Sequence, residues 1–189
     1  ERIVEMIMKV RRTGLFNIMD IKEGINQRKS IRKYQTKFIS EEIIKELLDA
    51  ARKAPSAKNV QPHKYFIVKD KETINKLKEH DAFKQPYVYD APLIIVCCAN
   101  PELYPPSVDV DKPSEDYALI DLSIASSFLA LRATELGLGS VFVAWIRRDK
   151  IKEVLNIPKE YIIPFVLPIG YPAEDPSPKP RKKLNEIRF

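Results

Sequence analysis

The chain has 189 residues with a formal net charge of +6, 44% hydrophobic and 31% charged residues, which fits one globular domain and excludes bulk disorder. A basic balance attracts anions of several kinds and does not by itself choose among nucleic acid, lipid surface and phosphorylated cofactor. No apolar run approaches the roughly 20 residues of a membrane helix, and the N-terminus lacks the apolar core and cleavage site of a signal peptide.

Residues 1–18 read as an arm. Ile3, Val4, Ile7, Met8 and Val10 form an amphipathic pattern ending near Gly14, too short for a stable helix alone. Docking on a partner subunit is one reading and an upstream extension before Met19 is the other; residues 19–189 form a single domain. Asp20 is placed to cap a helix from Ile21 towards Gln27. The basic loop Arg28-Lys29-Ser30-Ile31-Arg32-Lys33-Tyr34 follows. Ser40 caps a second helix, with Glu41 and Glu42 favourable in its first turn and Ile43, Ile44, Leu47, Leu48 and Ala51 in its buried stripe. Pro55 ends it and opens a polar loop running to His63. Residues 65–68 predict a strand and 71–79 a charged helix. Residues 93–99 predict a strand buried on both faces. Its adjacent Cys97 and Cys98 point to opposite faces, so they read as structural thiols in a reducing, cytoplasmic compartment. Residues 101–114 are Pro-rich and read as a surface loop.

The longest helix is predicted over about 115–136. Ala118, Leu122, Ala125, Leu129 and Ala133 give one face, and Ile120, Ile124, Phe128 and Leu131 widen it, as at a dimer centre. Gly137 stops it. Residues 140–146 predict a strand, 149–155 a short helix, and 162–169 a strand that Pro164 and Pro168 assign to an edge or a bend. The tail from Tyr171 onward is Pro- and Lys-rich and extended over the surface or over a partner. Helices followed by mixed strands and helices make one α+β domain.

Four constellations carry candidate chemistry. Arg28, Ser30 and Arg32 offer guanidinium forks and a hydroxyl to a phosphate, or form a solvated basic turn. Pro55-Ser56-Ala57-Lys58-Asn59-Val60-Gln61-Pro62 offers donors and acceptors on a loop stiffened by prolines, suited to the polar edge of a ring system or to a plain connection. Glu135-Leu136-Gly137-Leu138-Gly139-Ser140 turns a helix straight into a strand, and its small residues let a backbone approach a ligand; it is no dinucleotide fingerprint, since the third glycine is absent and a helix precedes it. Lys179-Pro180-Arg181-Lys182-Lys183 is a basic tail. His63 and His80 are the only histidines. Neither has a base-and-orienter context, so no catalytic acid or base is assigned, and no metal ligands either.

The order of these segments resembles the nitroreductase family of FMN enzymes. Beside the four constellations, Asp90-Ala91-Pro92 before an apolar strand and Pro168-Ile169-Gly170-Tyr171-Pro172 carry the likeness, which spans roughly residues 19–187. The resemblance implies a central mixed β-sheet flanked by helices, in an intertwined homodimer with FMN at the subunit interface. It implies that Arg28, Ser30 and Arg32, with the Lys29 backbone, hold the FMN phosphate and ribityl chain, and that Lys179 and Arg181 close on the phosphate. Pro55, Ser56 and Asn59 are expected from the other subunit. Phe142, Val143 and Ala144 are expected along one flavin face, with an amide near Ala144 or Trp145 at the redox-active ring nitrogen.

The implied chemistry is hydride transfer from NAD(P)H through FMN to a nitroaromatic, quinone or similar acceptor. His63 stands where many relatives have Trp, and Phe142 and Ala144 where some have Pro and an acidic residue, departures that bear on pocket shape. A reductive dehalogenase or a specialised biosynthetic dehydrogenase is the alternative within the same fold, although the acidic and aromatic lid of the dehalogenating branch is not found. A basic nucleic-acid module is the alternative outside it, disfavoured by basic runs without interleaved aromatics. The expected partners are a second copy and a small acceptor, with no nucleic acid and no membrane.

Overall fold

The computed structural model describes residues 19–105 and 114–189. The amphipathic pattern of residues 1–18 lies outside the described residues, as does most of the 101–114 loop. The elements in chain order are α1 (Ile21–Gln27), α2 (Glu41–Arg52), β1 (His63–Val68), α3 (Lys71–Glu79), β2 (Leu93–Ala99), α4 (Ser114–Glu135), β3 (Gly139–Ser140), α5 (Arg148–Leu155) and β4 (Ile162–Gly170). The caps expected at Asp20 and Ser40 form: the Asp20 carboxylate accepts from the Glu23 amide, and the Ser40 hydroxyl from the Ile43 amide.

The sheet runs β1-β2-β4-β3, and its three ladders are antiparallel. The mixed sheet expected from sequence reduces, among the described residues, to one parallel bridge between Ser30 and Ser140. β2 is buried along its whole length. Its odd residues, among them Leu93 and Ile95, face α2 and α4, where Leu47, Leu122 and Leu129 pack. Its even residues, among them Ile94 and Val96, face Leu77 of α3 and Ile151 of α5. Each such fully buried aliphatic side chain contributes roughly 1.5–3 kcal/mol. Cys97 and Cys98 fall on the two faces as free, buried thiols. Burial pushes both thiols up, Cys98 to about 12, so neither is a nucleophile at neutral pH.

Of the two sequence expectations for β4, an edge or a bend, the edge is corrected, since β4 is an inner strand, while a bulge does occur at Pro164, where the register against β2 shifts between Cys97–Phe165 and Ala99–Ile162. Val166 exchanges both backbone hydrogen bonds with Val143 (2.9 and 3.0 Å), so the even residues of β4 turn their amide side towards β3. Pro168 is even too, and β3 has ended before it reaches it, so its missing N–H breaks no ladder, while Pro164 sits in the bulge of the β2 ladder. The strand predicted over 140–146 is also shorter, with Gly139–Ser140 alone as regular strand and isolated bridges beyond. α4 has the length and mean hydropathy of a membrane span, yet it packs on α2 and the sheet as the core helix.

Candidate functional site

α4 ends in a Schellman turn. Gly137 is left-handed (φ 73°), its amide donates to Thr134 O (3.0 Å), and the Leu138 amide reaches back to Ala133 O (2.8 Å). The turn aims Gly139 and Ser140 into the sheet, where the basic run meets them. The Ile31 amide donates to Ser140 O (3.1 Å) beside the Ser30–Ser140 bridge. A Cβ on Gly139 would lie 2.5 Å from Cγ1 of Ile31, so only glycine allows this approach. Gly170 does the same in β4, between Pro92 and Tyr34, each 2.8 Å from a Cβ built there. Tyr34 donates its hydroxyl to Ile31 O (2.6 Å); burial, first, and the neighbouring Tyr87 and Glu174 hold that hydroxyl protonated.

The start of the tail closes the junction. Tyr34 bridges Pro172, and the Ala173 amide donates to Lys33 O (2.9 Å). The Glu174 carboxylate accepts from the Arg32 and Lys33 amides (2.6 and 3.2 Å), and Lys29 pairs with Asp175 (2.5 Å). Lys29 therefore commits its side chain to the tail and leaves its amide. Neither the Lys29 nor the Ser30 amide has an acceptor among the described residues, and the Arg28 guanidinium has no side-chain partner there. Arg32 reaches its neighbour Ser30 O (3.3 Å) and stands 6.0 Å from the Tyr87 ring centre. Free cations, a hydroxyl and two free amides are the donor set an oxyanion requires.

The chain leaves Ser140 along an open edge. Val143 is buried (2% exposed) and pairs both ways with Val166, so its side chain lies in the core and does not reach the face expected of it. In extended chain the flanking residues turn the other way. Phe142 and Trp145 are exposed (40% and 69%), with Phe142 edge-on to Phe165, and Ala144 lies open between them. The Ala144 and Trp145 amides have no acceptor among the described residues. The edge is nonetheless pinned, because the Lys84 amide donates to Trp145 O and the Arg147 amide to Ala82 O. From Ser140 to Ala144 is at most roughly 13 Å at 3.3 Å per residue. The edge thus offers an apolar aromatic wall and free amides at one end, and cationic anion donors at the other.

Pro55, Ser56 and Asn59 lie elsewhere. No hydrogen bond, ion pair or ring contact joins the 55–62 loop to residues 28–34 or 142–145 among the described residues. Lys58, Asn59 and Gln61 all have positive φ (54°, 56° and 52°), each costing on the order of 1 kcal/mol. The Ser56 hydroxyl accepts from the Gln61 amide (3.0 Å), and the Ala57 amide donates to Asp121 (2.9 Å). Asp121, 4% exposed in α4, also accepts from the Tyr104 hydroxyl (2.6 Å). Burial, then that bond and the Asp121 charge, hold Tyr104 protonated. Sequence reasoning missed Asp121; its one signal was a lone acid in an apolar stretch of helix.

Lys179 and Arg181 are exposed, and among the described residues Arg181 hydrogen-bonds only the backbone oxygens of residues 179 and 180. The structure does not bring them to Arg28. A cavity of about 730 Å³ lies away from the junction, between α2 and β1, lined in part by Asp49, Gln61, His63 and Tyr65. Desolvation there holds His63 below its ordinary value against the opposing pull of Asp121, and His63 Nδ1 has no hydrogen-bond partner among the described residues.

The profile of the Nitroreductase family matches residues 25–83 and 76–171. A putative NADH dehydrogenase/NAD(P)H nitroreductase of Methanothermobacter thermautotrophicus is 37% identical over 172 residues, covering 87% of this chain and 83% of that protein. An FMN reductase [NAD(P)H] of Bacillus subtilis is 29% identical over 175 residues, covering 86% and 70%. Among solved structures, a nitroreductase family protein from Clostridium difficile superposes with a TM-score of 0.79 at 34% identity, covering 90% of this chain and 98% of that one.

Proposed function

The chain belongs to the nitroreductase family, and from that premise we propose that it is an NAD(P)H-dependent FMN oxidoreductase that reduces an electron-poor acceptor such as a nitroaromatic or a quinone. The observation that carries the reading is the Ser30–Ser140 junction, which joins anion donors to an open, aromatic-walled edge. The residues fit FMN at both ends. Arg28, Ser30 and Arg32 bind the phosphate with the free amides of Lys29 and Ser30. Phe142 supplies a flat apolar wall, and the Ala144 and Trp145 amides donate to the ring edge without a titrating side chain. Val143 serves from inside the core, as the anchor that turns its neighbours outward. FMN, when bound, supplies hydride acceptance and delivery.

The working unit in this reading is a homodimer. Phe128 on α4 is 41% exposed and, with Met19, Ile21 and Leu131, forms the apolar part of a cleft of about 640 Å³ that charged residues such as Glu46 and Lys53 also line. Leu184, Ile187 and Phe189 of the tail are exposed as well. Such apolar surface suits burial against a second copy. Pro55, Ser56 and Asn59 then complete the site across the interface, and Lys179 and Arg181 close on the phosphate from the tail.

The test is the visible spectrum of the purified protein and of an Arg28→Ala/Arg181→Ala variant. The parent is expected to be yellow, to release FMN on denaturation and to bleach with NADH or NADPH in the absence of oxygen. The double variant is expected to fold, to stay dimeric and to be mostly flavin-free. Full occupancy in the double variant overturns the phosphate assignment, and a colourless parent that refuses added FMN overturns the cofactor.

A further inference from the structure

Asp121 is a carboxylate in the middle of the apolar helix α4, and among the described residues no cation pairs with it. Burying a charge in that way is costly unless donors satisfy it, and simple space-filling is met better by an apolar side chain. Two donors from distant regions of the chain converge on its Oδ2: the Ala57 amide at 2.9 Å and the Tyr104 hydroxyl at 2.6 Å.

The turn that Ala57 belongs to is otherwise closed on itself. The Asn59 amide donates to Ser56 O, the Val60 amide to Ala57 O and the Gln61 amide to Ser56 Oγ. Those bonds shape the turn, Ala57 and Val60 rest on the core, and the Asn100 amide holds Pro62 O (3.0 Å) just beyond it. The Ala57–Asp121 bond ties it to the core helix. Three residues in left-handed backbone mean that the turn relaxes to other conformations when that tie is cut. The Asn59 side chain, which has no partner among the described residues, is left facing outward. Tyr104 braces the same oxygen from the segment that opens with the 3-10 turn Pro101–Leu103, its ring 5.9 Å from that of Tyr117.

We infer that Asp121 is a positioning residue, which through Ala57 and Tyr104 fixes the Ser56–Gln61 turn in the orientation that presents Ser56 and Asn59 to the cofactor. The inference rests on the FMN reading for its last step and on the hydrogen bonds alone for its first. The two are tested separately, on the full-length dimer, by hydrogen–deuterium exchange of the peptide spanning 55–62 in flavin-free protein and by titration with FMN. Asp121→Ala is expected to speed exchange in 55–62 at least tenfold while α2 peptides keep the parent rate, and to weaken FMN binding about tenfold. Asp121→Asn keeps an oxygen acceptor of the same shape and is expected within about threefold of the parent in both. Tyr104→Phe, which removes one donor and leaves the carboxylate, is expected to fall between them; with Asp121→Asn it carries the test if Asp121→Ala does not fold.

Unchanged exchange in 55–62, or equal acceleration across α2 and α4, overturns the positioning role, as does an Asp121→Asn variant as impaired as Asp121→Ala. Faster exchange in 55–62 with unchanged FMN affinity overturns the step from the turn to the cofactor. A parent that binds no FMN, with the exchange pattern as expected, locates the failure in the cofactor reading instead.

Discussion

Residues 28–34 and 55–62 both carry polar side chains away from a helix end, yet they are held by different means. The first run is clamped between two glycines that admit no side chain, bridged to Ser140 and Pro172, and closed over by Glu174. The second makes its own turn from left-handed residues, rests on the core through Ala57 and Val60, and is hydrogen-bonded to the core helix through one buried carboxylate. The first is therefore assembled by the folding of one chain. The second is a feature offered outward, whose use depends on what comes to meet it. In the proposed FMN reading, a preorganised run at 28–34 and a separately held turn at 55–62 suit a site that keeps one molecule and exchanges others.

The largest way to break this contrast is Gly139→Val. The added carbons collide with Ile31, so the basic run must move off the sheet. A loss of about 1–3 kcal/mol in unfolding free energy by denaturant titration is expected, together with loss of bound flavin. Retention of both stability and flavin would show that the clamp is dispensable.

A smaller effect is expected from Glu174→Ala, which removes the acceptor for the Arg32 and Lys33 amides at the surface. About 1 kcal/mol of stability should go, a few degrees in Tm, with the junction itself intact.

The smallest concerns the other half. Desolvation in the fold lowers the His63 imidazole from its ordinary value of about 6.5, near which the unfolded chain takes up a proton. Below that pH the unfolded chain binds more protons, so stability falls as pH falls. His63→Gln should flatten the dependence of Tm on pH between about 7 and 5, and an unchanged slope would remove His63 as its source.

Local rules reached much of this molecule from sequence. Asp20 and Ser40 announce their helices because capping is settled within four residues, and 93–99 announces a doubly buried strand because seven apolar residues in a row have no polar face to show. What escaped depends on partners far along the chain. Pro168 looks like an edge or bend residue until the register shows its amide side meeting no partner strand, whereas Pro164 does mark a bulge. Val143 looks like a piece of a ligand wall until its pairing with Val166 buries it, leaving Phe142 and Ala144 outside. Asp121 showed only as a lone acid in an apolar stretch, since its value comes from Ala57 and Tyr104, 64 and 17 residues away. The basic run and the glycine turn were each legible as motifs, but their meeting at Ser30 and Ser140 was not.

The central claim is that the anion end of the site grips a phosphate. Titrating flavin-free protein with FMN and with riboflavin, which differs by lacking the phosphate, tests it most directly. Two charge-assisted hydrogen bonds at about 1.5 kcal/mol each predict that FMN binds roughly 100-fold more tightly. Equal affinity for the two flavins would contradict the assignment of Arg28, Ser30 and Arg32.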